Sequence, residues 1–338
     1  MAIQLTSIAQ APTRFKPSAK VLGLLNRRLS AANMASPRQF ASDRIDYQKG
    51  QFAIIGDLQS TSKVEFWRKS NTQERHYLIR QIATEAPDFL AIVGDLVFAG
   101  SSATHWAGFD DLAAPLSEAQ VPILPLLGNH DYGIRRRSGL ANFFARFPHL
   151  GGRHWFSRTY GPLGLIFLDS NIRRLPALQW QAQCIWYKNE LQRFEQMSEV
   201  RGVLVLLHHP PYTNSAMISD GIQVQRTFVE PFVEARKTMA MVAGHVHSYE
   251  RFERTGKTFL VTGGGGPRVK LATGRRRRHT DDCFGGPRLR GFHFLRLTPS
   301  PTRLVIEMCG LLQPQCQFET LDTFSLSWAS AATQDTQG

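Results

Sequence analysis

The sequence predicts an α/β protein built on a largely parallel, buried sheet, with a second and more antiparallel sheet packed on it. Three observations carry this expectation. Short apolar runs alternate with longer helical patterns as far as Tyr249; beyond it the helical patterns stop and short strands succeed one another; and five of the early runs are followed at once by clusters of acids, amides or histidines. Alternation of this kind is the rhythm of βαβ units, whose strands are buried on both faces.

Taken in order, QFAII precedes the helical pattern NTQERHYLIRQIATE, FLAIV precedes one near HWAGFDDLAAPLSE, and PILPLL precedes SGLANFFARF. LGLIFLD comes next, then a long amphipathic stretch from Ala177 to Met197, GVLVLL, a helix near VQRTFVEPFVEARK, and MAMVA. YERFER, KTFLVTG, GFHFLRL and TRLVIEM are the later strands, expected to form the second sheet. No internal repeat is present.

With 338 residues, 42% of them hydrophobic, the chain can bury one large core or at most two. Cys184, Cys283, Cys309 and Cys316 are too few and too scattered for a disulfide framework, which points to a reducing compartment. No apolar stretch reaches the roughly 18 residues of a membrane span. The net charge of +13 is uneven: residues 1–50 carry +6 and the window from Arg268 to Arg278 another +6. The distribution describes a near-neutral body with a basic extension and one basic loop, and such a body disfavours a nucleic-acid partner. The expected organisation is a basic, poorly ordered extension over 1–48, one domain over 49–329 and a polar tail over 330–338. The acid-free first 42 residues have the look of an organellar transit peptide as well as of a bacterial extension; a cytoplasmic location is the favoured expectation.

The residues directly beyond the strands carry the chemistry. QFAII ends in GDLQ, FLAIV in GDLVF, PILPLL in GNHD, GVLVLL in HHPPY and MAMVA in GHVH. In parallel α/β sheets the loops beyond the carboxyl ends of strands share one edge, where ligands bind. Asp57, Asp95, Asn129, His130, His208, His209, His245 and His247 would gather there, the oxygen and imidazole donors that a hard or borderline divalent ion takes. A single Gly-Asp after a strand is ordinarily a turn. Five such clusters in order, each after a strand, are not explained that way.

The order GD, GD, GNHD, HHPPY, GHVH resembles the calcineurin-like metallophosphoesterase superfamily, and GHVHSYER with HHPPYTNS most resembles its purple acid phosphatase-like branch. That resemblance covers about residues 50 to 310 and implies a four-layer α/β/β/α sandwich of two mixed sheets with a two-metal centre. By it, Asp57 and His247 bind the first metal, Asp95 bridges both, and Asn129, His208 and His245 bind the second. His130 would assist the departing oxygen, with Asp131 holding its ring, while His209 has no assured role. The implied cofactor is a pair of divalent ions: manganese, iron, magnesium or zinc.

One position departs from the pattern. Members of this family complete the first metal with a histidine two residues after the first Asp, or with a tyrosine three after the second; here those places hold Gln59 and Phe98. Phenylalanine cannot coordinate. The Gln59 amide oxygen can bind a metal or hold its water, and the loss of a tyrosinate favours an uncoloured divalent site with weak first-metal affinity. The expected activity is metal-dependent hydrolysis of a small anionic phosphate ester, with a metal-activated water as nucleophile. A nuclease-like diesterase and a binding protein that has lost catalysis are the alternatives. Arg135, Arg136 and Arg137, just after GNHD, together with His209, are candidate substrate-binding residues, and the run Arg275 to Arg278 is either a substrate rim or a solvated loop.

Overall fold

The computed structural model describes residues 37–40, 45–62 and 69–329. Its framework is two six-stranded mixed sheets. The first runs β12-β11-β10-β1-β2-β3, with β1 (Phe52–Ile55), β2 (Leu90–Ile92) and β3 (Ile123–Pro125) parallel, and β10 (His293–Pro299), β11 (Arg303–Leu312) and β12 (Gln317–Ser327) antiparallel beside them. The second runs β4-β5-β6-β7-β9-β8: β5 (Leu163–Phe167), β6 (Gly202–Leu207), β7 (Thr238–Ala243) and β9 (Lys257–Thr262) are parallel, edged by antiparallel β4 (Phe156–Tyr160) and β8 (Tyr249–Arg254).

The layering follows from the period of two along a strand. Leu204 and Leu206 of β6 enter the core that also holds Ile54, Ile92 and Leu295 of the first sheet. Val203, Val205 and Leu207, pointing the other way, join Tyr187, Leu191 and Phe194 of the helix Ala177–Gln196. On the far side of the first sheet, Leu78, Ile79 and Ile82 of the helix Thr72–Glu85 are fully buried. Helix, sheet, sheet and helix thus stack as four layers.

Two sequence expectations need correction. The strands after Tyr249 do not make a sheet of their own: β8 and β9 extend the second sheet, and β10 to β12 extend the first beside β1. A strand run announces its own burial but not its neighbour, which is fixed by contacts distant in sequence. The body also begins before residue 49. Phe40 is buried against Phe109 and Phe147, with ring centroids 5.7 Å from each, and the amides of Gln48 and Lys49 donate to Asp88. Residues 1–36 and 41–42 of the transit-peptide-like stretch and the polar tail at 330–338 lie outside the described residues. Among the described residues no helix is long and apolar enough to cross a membrane.

Candidate metal centre

The five motifs meet where the strand ends of the two sheets face one another: β1, β2 and β3 from the first, β6 and β7 from the second. A rim shared by two sheets replaces the single sheet edge expected from sequence. Three of the residues that turn into it adopt left-handed backbone, with φ of +64° at Asp57, +54° at Asp95 and +65° at His245. Each such residue costs on the order of 1–3 kcal/mol and persists only where its surroundings fix it. Here they do: the His245 amide donates to both Asp57 oxygens, at 3.1 and 2.9 Å, and the Asp95 amide to Asp131 at 2.9 Å. The glycines that precede the ligand residues chiefly leave room. A Cβ at Gly128 would fall 2.1 Å from Asp95 Oδ1, and one at Gly94 2.5 Å from His208 Nδ1.

The expected ligands come together. Asp57, Asp95 and His208 each bring a donor atom within 4.8 Å of the others, as do His208, His209 and His245. His208 Nε2 lies 3.1 Å from Asn129 Oδ1 and 3.3 Å from an Asp95 oxygen, while His247 Nε2 lies 3.4 Å from Asp57 Oδ1. Asp57, Asp95, His208 and His247 are buried.

The hydrogen bonds at the back of this cluster test whether cations fit. His208 Nδ1 sits 2.9 Å from the Val93 carbonyl and His247 Nδ1 2.9 Å from that of Pro267. A carbonyl only accepts, so both Nδ1 atoms carry hydrogen and both Nε2 lone pairs face carboxylate and amide oxygens. Acceptors facing acceptors are stable only around positive charge. With no cation, protons supply it: burial would lower His208, but the Asp95 carboxylate lifts it to about 9, and Asp57 likewise raises His247 against burial. Although burial works to raise it, the Asp95 carboxyl is held far below the usual carboxylate range by His208 and the neighbouring imidazoles. The donor set therefore suits divalent cations in place of those protons.

Gln59 answers the question its position raised. It is 3% exposed, so both ends of its amide need partners. Directed inward, the nitrogen would lie 3.0 Å from His247 Nε2 and 3.4 Å from an Asp95 oxygen. Turned over, the nitrogen donates to the main-chain carbonyls of Asp57 and Asp95 at 3.1 and 3.0 Å, and the oxygen stands 3.0 Å from His247 Nε2. The second orientation gives the nitrogen both of its acceptors, and its neutral, hard oxygen then either accepts from a doubly protonated His247 or faces a cation that would be held beside Asp57 and His247.

Asp131 does not hold the His130 ring. Its carboxylate lies behind the rim and accepts main-chain N–H groups from Asp95, Gly128, Leu96 and Val97 at 2.9, 2.9, 2.9 and 3.3 Å, stapling the loop after β2 to the loop after β3. Burial and the charge of Asp95 push its carboxyl up to about 8, opposed by those amides. His130 Nδ1 instead lies 2.7 Å from the carbonyl of Phe98, whose ring packs 5.1 Å from the imidazole. Phe98, dismissed from sequence as unable to coordinate, positions His130 through its backbone.

His209 also acquires a definite environment. Ser170 Oγ accepts the amides of His208 and His209 at 3.2 and 2.9 Å, so its single hydrogen goes to His209 Nδ1 at 2.9 Å. That leaves Nε2–H as a donor, and burial with the nearby His208 charge lowers the imidazole to about 3, keeping it neutral. Burial and the same charge lower His245 well below its usual value. Asn129 and His209 open onto a cavity of about 490 Å³ that Arg173 and Arg174 also line. Arg135, Arg136 and Arg137 are not among its walls; Arg136 lies over the Tyr132 ring at 5.9 Å instead. Ser170, Arg173 and Arg174 come after LGLIFLD, a strand end without the glycine-and-ligand pattern, so the sequence held no signal for them beyond their place after a buried run.

Comparison with known proteins places the fold and the family. Residues 50–249 match the family model described as calcineurin-like phosphoesterase. Purple acid phosphatase 22 of Arabidopsis thaliana is 26% identical over 310 residues, which span 84% of this chain and 67% of that protein; for purple acid phosphatase 1 of Ipomoea batatas the match is 28% identical and spans 60% and 43%. The chain thus covers between about two fifths and two thirds of these relatives. Among solved structures, a purple acid phosphatase from yellow lupin seeds superposes with a TM-score of 0.60 at 20% identity, over 87% of this chain and 55% of that one. GAP50, described as the anchor in the inner membrane complex of Plasmodium, superposes with 0.66 at 14%, over 84% and 90%. Likeness at those identities shows the fold alone. With the matched segment spanning β1 to the start of β8 and every motif of the rim, the chain belongs to the calcineurin-like phosphoesterase family and is similar within it to the purple acid phosphatase-like branch.

Proposed function

We propose that the protein hydrolyses small phosphate esters with two divalent cations, manganese, ferrous iron, magnesium or zinc. The observation that carries this is the convergence of acceptors on acceptors: Asp57, Gln59 and His247 around one position, Asn129, His208 and His245 around another, with Asp95 between them. When bound, such a pair neutralises charge on a phosphoryl group and lowers the pKa of a water that attacks it. The remaining work belongs to side chains. His209 Nε2–H donates to a substrate oxygen, and Arg173 and Arg174 draw an anion into the adjoining cavity. His130, with Nδ1–H fixed on the Phe98 carbonyl, acts as the imidazolium, giving the departing oxygen the second proton carried on Nε2 and regaining one from water.

The test is hydrolysis of nitrophenyl phosphate and bis(nitrophenyl) phosphate by metal-stripped protein reloaded separately with Mn²⁺, Fe²⁺, Mg²⁺ and Zn²⁺. Turnover is expected with at least one of them, and their ratio ranks monoester against diester. Absence of turnover with all four would leave only a binding protein.

Gln59 supports a separate expectation. Gln59→Leu removes both the inward oxygen and the two donors that hold the loop, and should weaken one of two bound cations by about 10–100-fold. Gln59→His should tighten the same cation. Metal content after dialysis against graded chelator reads both; identical retention in wild type and the leucine variant would show that the amide plays no part.

A further inference from the structure

Outside the cluster, the strongest unexplained feature is a concentration of cations. Lys69, Arg268, Lys270 and Arg288 line a cavity of about 790 Å³; Arg275, Arg276 and Arg288 line another of about 630 Å³. The two share Ala216 and Arg288 and so form one groove. Its walls come from loops that leave the carboxyl ends of β1, β6 and β9, the same ends from which the metal rim is built. Pro267, in the wall of the first cavity, is the residue whose carbonyl holds His247 Nδ1 at 2.9 Å. The groove wall therefore reaches His247 from its Nδ1 side, behind the ring whose Nε2 faces Asp57.

Little of this charge is spent within the protein. Arg278, which also lines the groove, is committed: it donates to the carbonyls of Thr213, Ser215 and Ile218 and lies 3.5 Å from Asp220. Arg288 gives its Nε–H to the Leu271 carbonyl and Arg268 lies over the Phe292 ring, yet among the described residues neither meets an acid. Lys69, Lys270, Arg275 and Arg276 are exposed and lack an acidic partner among the described residues. Glu74, the acid in the lining, accepts from Gln313 at 2.6 Å. A solvated charge run occupies one segment of chain and diverges into water; here several segments aim like charges into one concavity, which mutual repulsion disfavours unless an anion sits there. The aromatic ring in its wall, Phe292, is 4% exposed and offers no stacking platform, so the groove suits phosphate groups without bases.

We propose that this groove binds the non-scissile phosphates of a substrate that carries several, with another phosphate at the Asp95 cluster. The substrate class is a polyphosphate or a multiply phosphorylated small molecule. This rests on the phosphoester-hydrolase reading of the cluster, and its test is chosen to fail separately.

The full chain, with the metals it retains on purification, is titrated calorimetrically with inorganic tripolyphosphate, orthophosphate and a short single-stranded oligothymidylate, beside the double variants Arg268→Glu/Lys270→Glu and Arg275→Ala/Arg276→Ala. Tripolyphosphate is expected to bind about tenfold or more tighter than orthophosphate, a preference that both variants lose. Orthophosphate binding and nitrophenyl phosphate turnover stay as in wild type. Equal tripolyphosphate affinity in wild type and both variants would overturn the proposal, as would oligothymidylate binding tighter than tripolyphosphate and lost in the same variants. A chain that hydrolyses no ester but loses tripolyphosphate in the variants sinks the catalytic reading and leaves the groove standing.

Discussion

On the proposed hydrolysis, Asp95→Ala is expected to lower turnover by about a thousandfold or more, because this one side chain would serve both cation positions. Its Oδ1 accepts the His130 amide at 2.8 Å and its Oδ2 lies 3.3 Å from His208 Nε2, so alanine removes the negative charge at the centre of the cluster and an anchor of the His130 backbone together. Asp95→Asn separates these effects. It keeps the side-chain shape and an acceptor for the amide, but the neutral group no longer holds positive charge. Both variants should fold, since a single amide loses its partner in the first and none need do so in the second. Steady-state kinetics with excess Mn²⁺, set beside thermal unfolding, checks this. Wild-type turnover in the alanine variant would show that Asp95 is not the shared ligand.

Asp131→Ala should cost folding stability on the order of 3–5 kcal/mol and carry metal binding away with it. Four main-chain N–H groups lose a buried acceptor at once, and leaving each unsatisfied costs about 1–3 kcal/mol before water or rearrangement recovers part of the sum. The loops so released are those that present Asp95 and Asn129. Denaturant unfolding and metal titration of the variant check both effects. The role expected from sequence, orientation of the His130 ring, predicts something different: unchanged stability and metal affinity with reduced turnover. That second pattern would contradict the hydrogen bonding seen at Asp131.

These two residues also mark how far the sequence was legible. Asp95 announces itself, because a glycine and an acid directly beyond a buried strand can be read locally, and it is one of five strand ends that carry acids, amides or histidines. Asp131 sits in the same kind of motif, GNHD, yet its side chain turns away from the rim to amides some 35 residues back, a destination no local pattern encodes. Phe98 shows the same boundary: its ring has no donor, and the atom that matters is its carbonyl. The strands after Tyr249 were visible as strands, but their division between two sheets depends on pairings such as Ala53 with Arg296 and Ala240 with Thr258. Gln59 was legible as a departure. What it does became clear only when the carbonyls of Asp57 and Asp95 were seen to claim its nitrogen. Arg173 and Arg174 come after a strand end that lacks the glycine signature, and only the folded chain brings them to the cavity beside Asn129.

The most direct test of the two-cation centre is anomalous diffraction from crystals of the protein grown with Mn²⁺, recorded on both sides of the manganese absorption edge. Two peaks about 3.5–4 Å apart are expected, with Asp95 touching both, His247 one and His208 the other. A single peak, or two peaks in unconnected pockets, would contradict it.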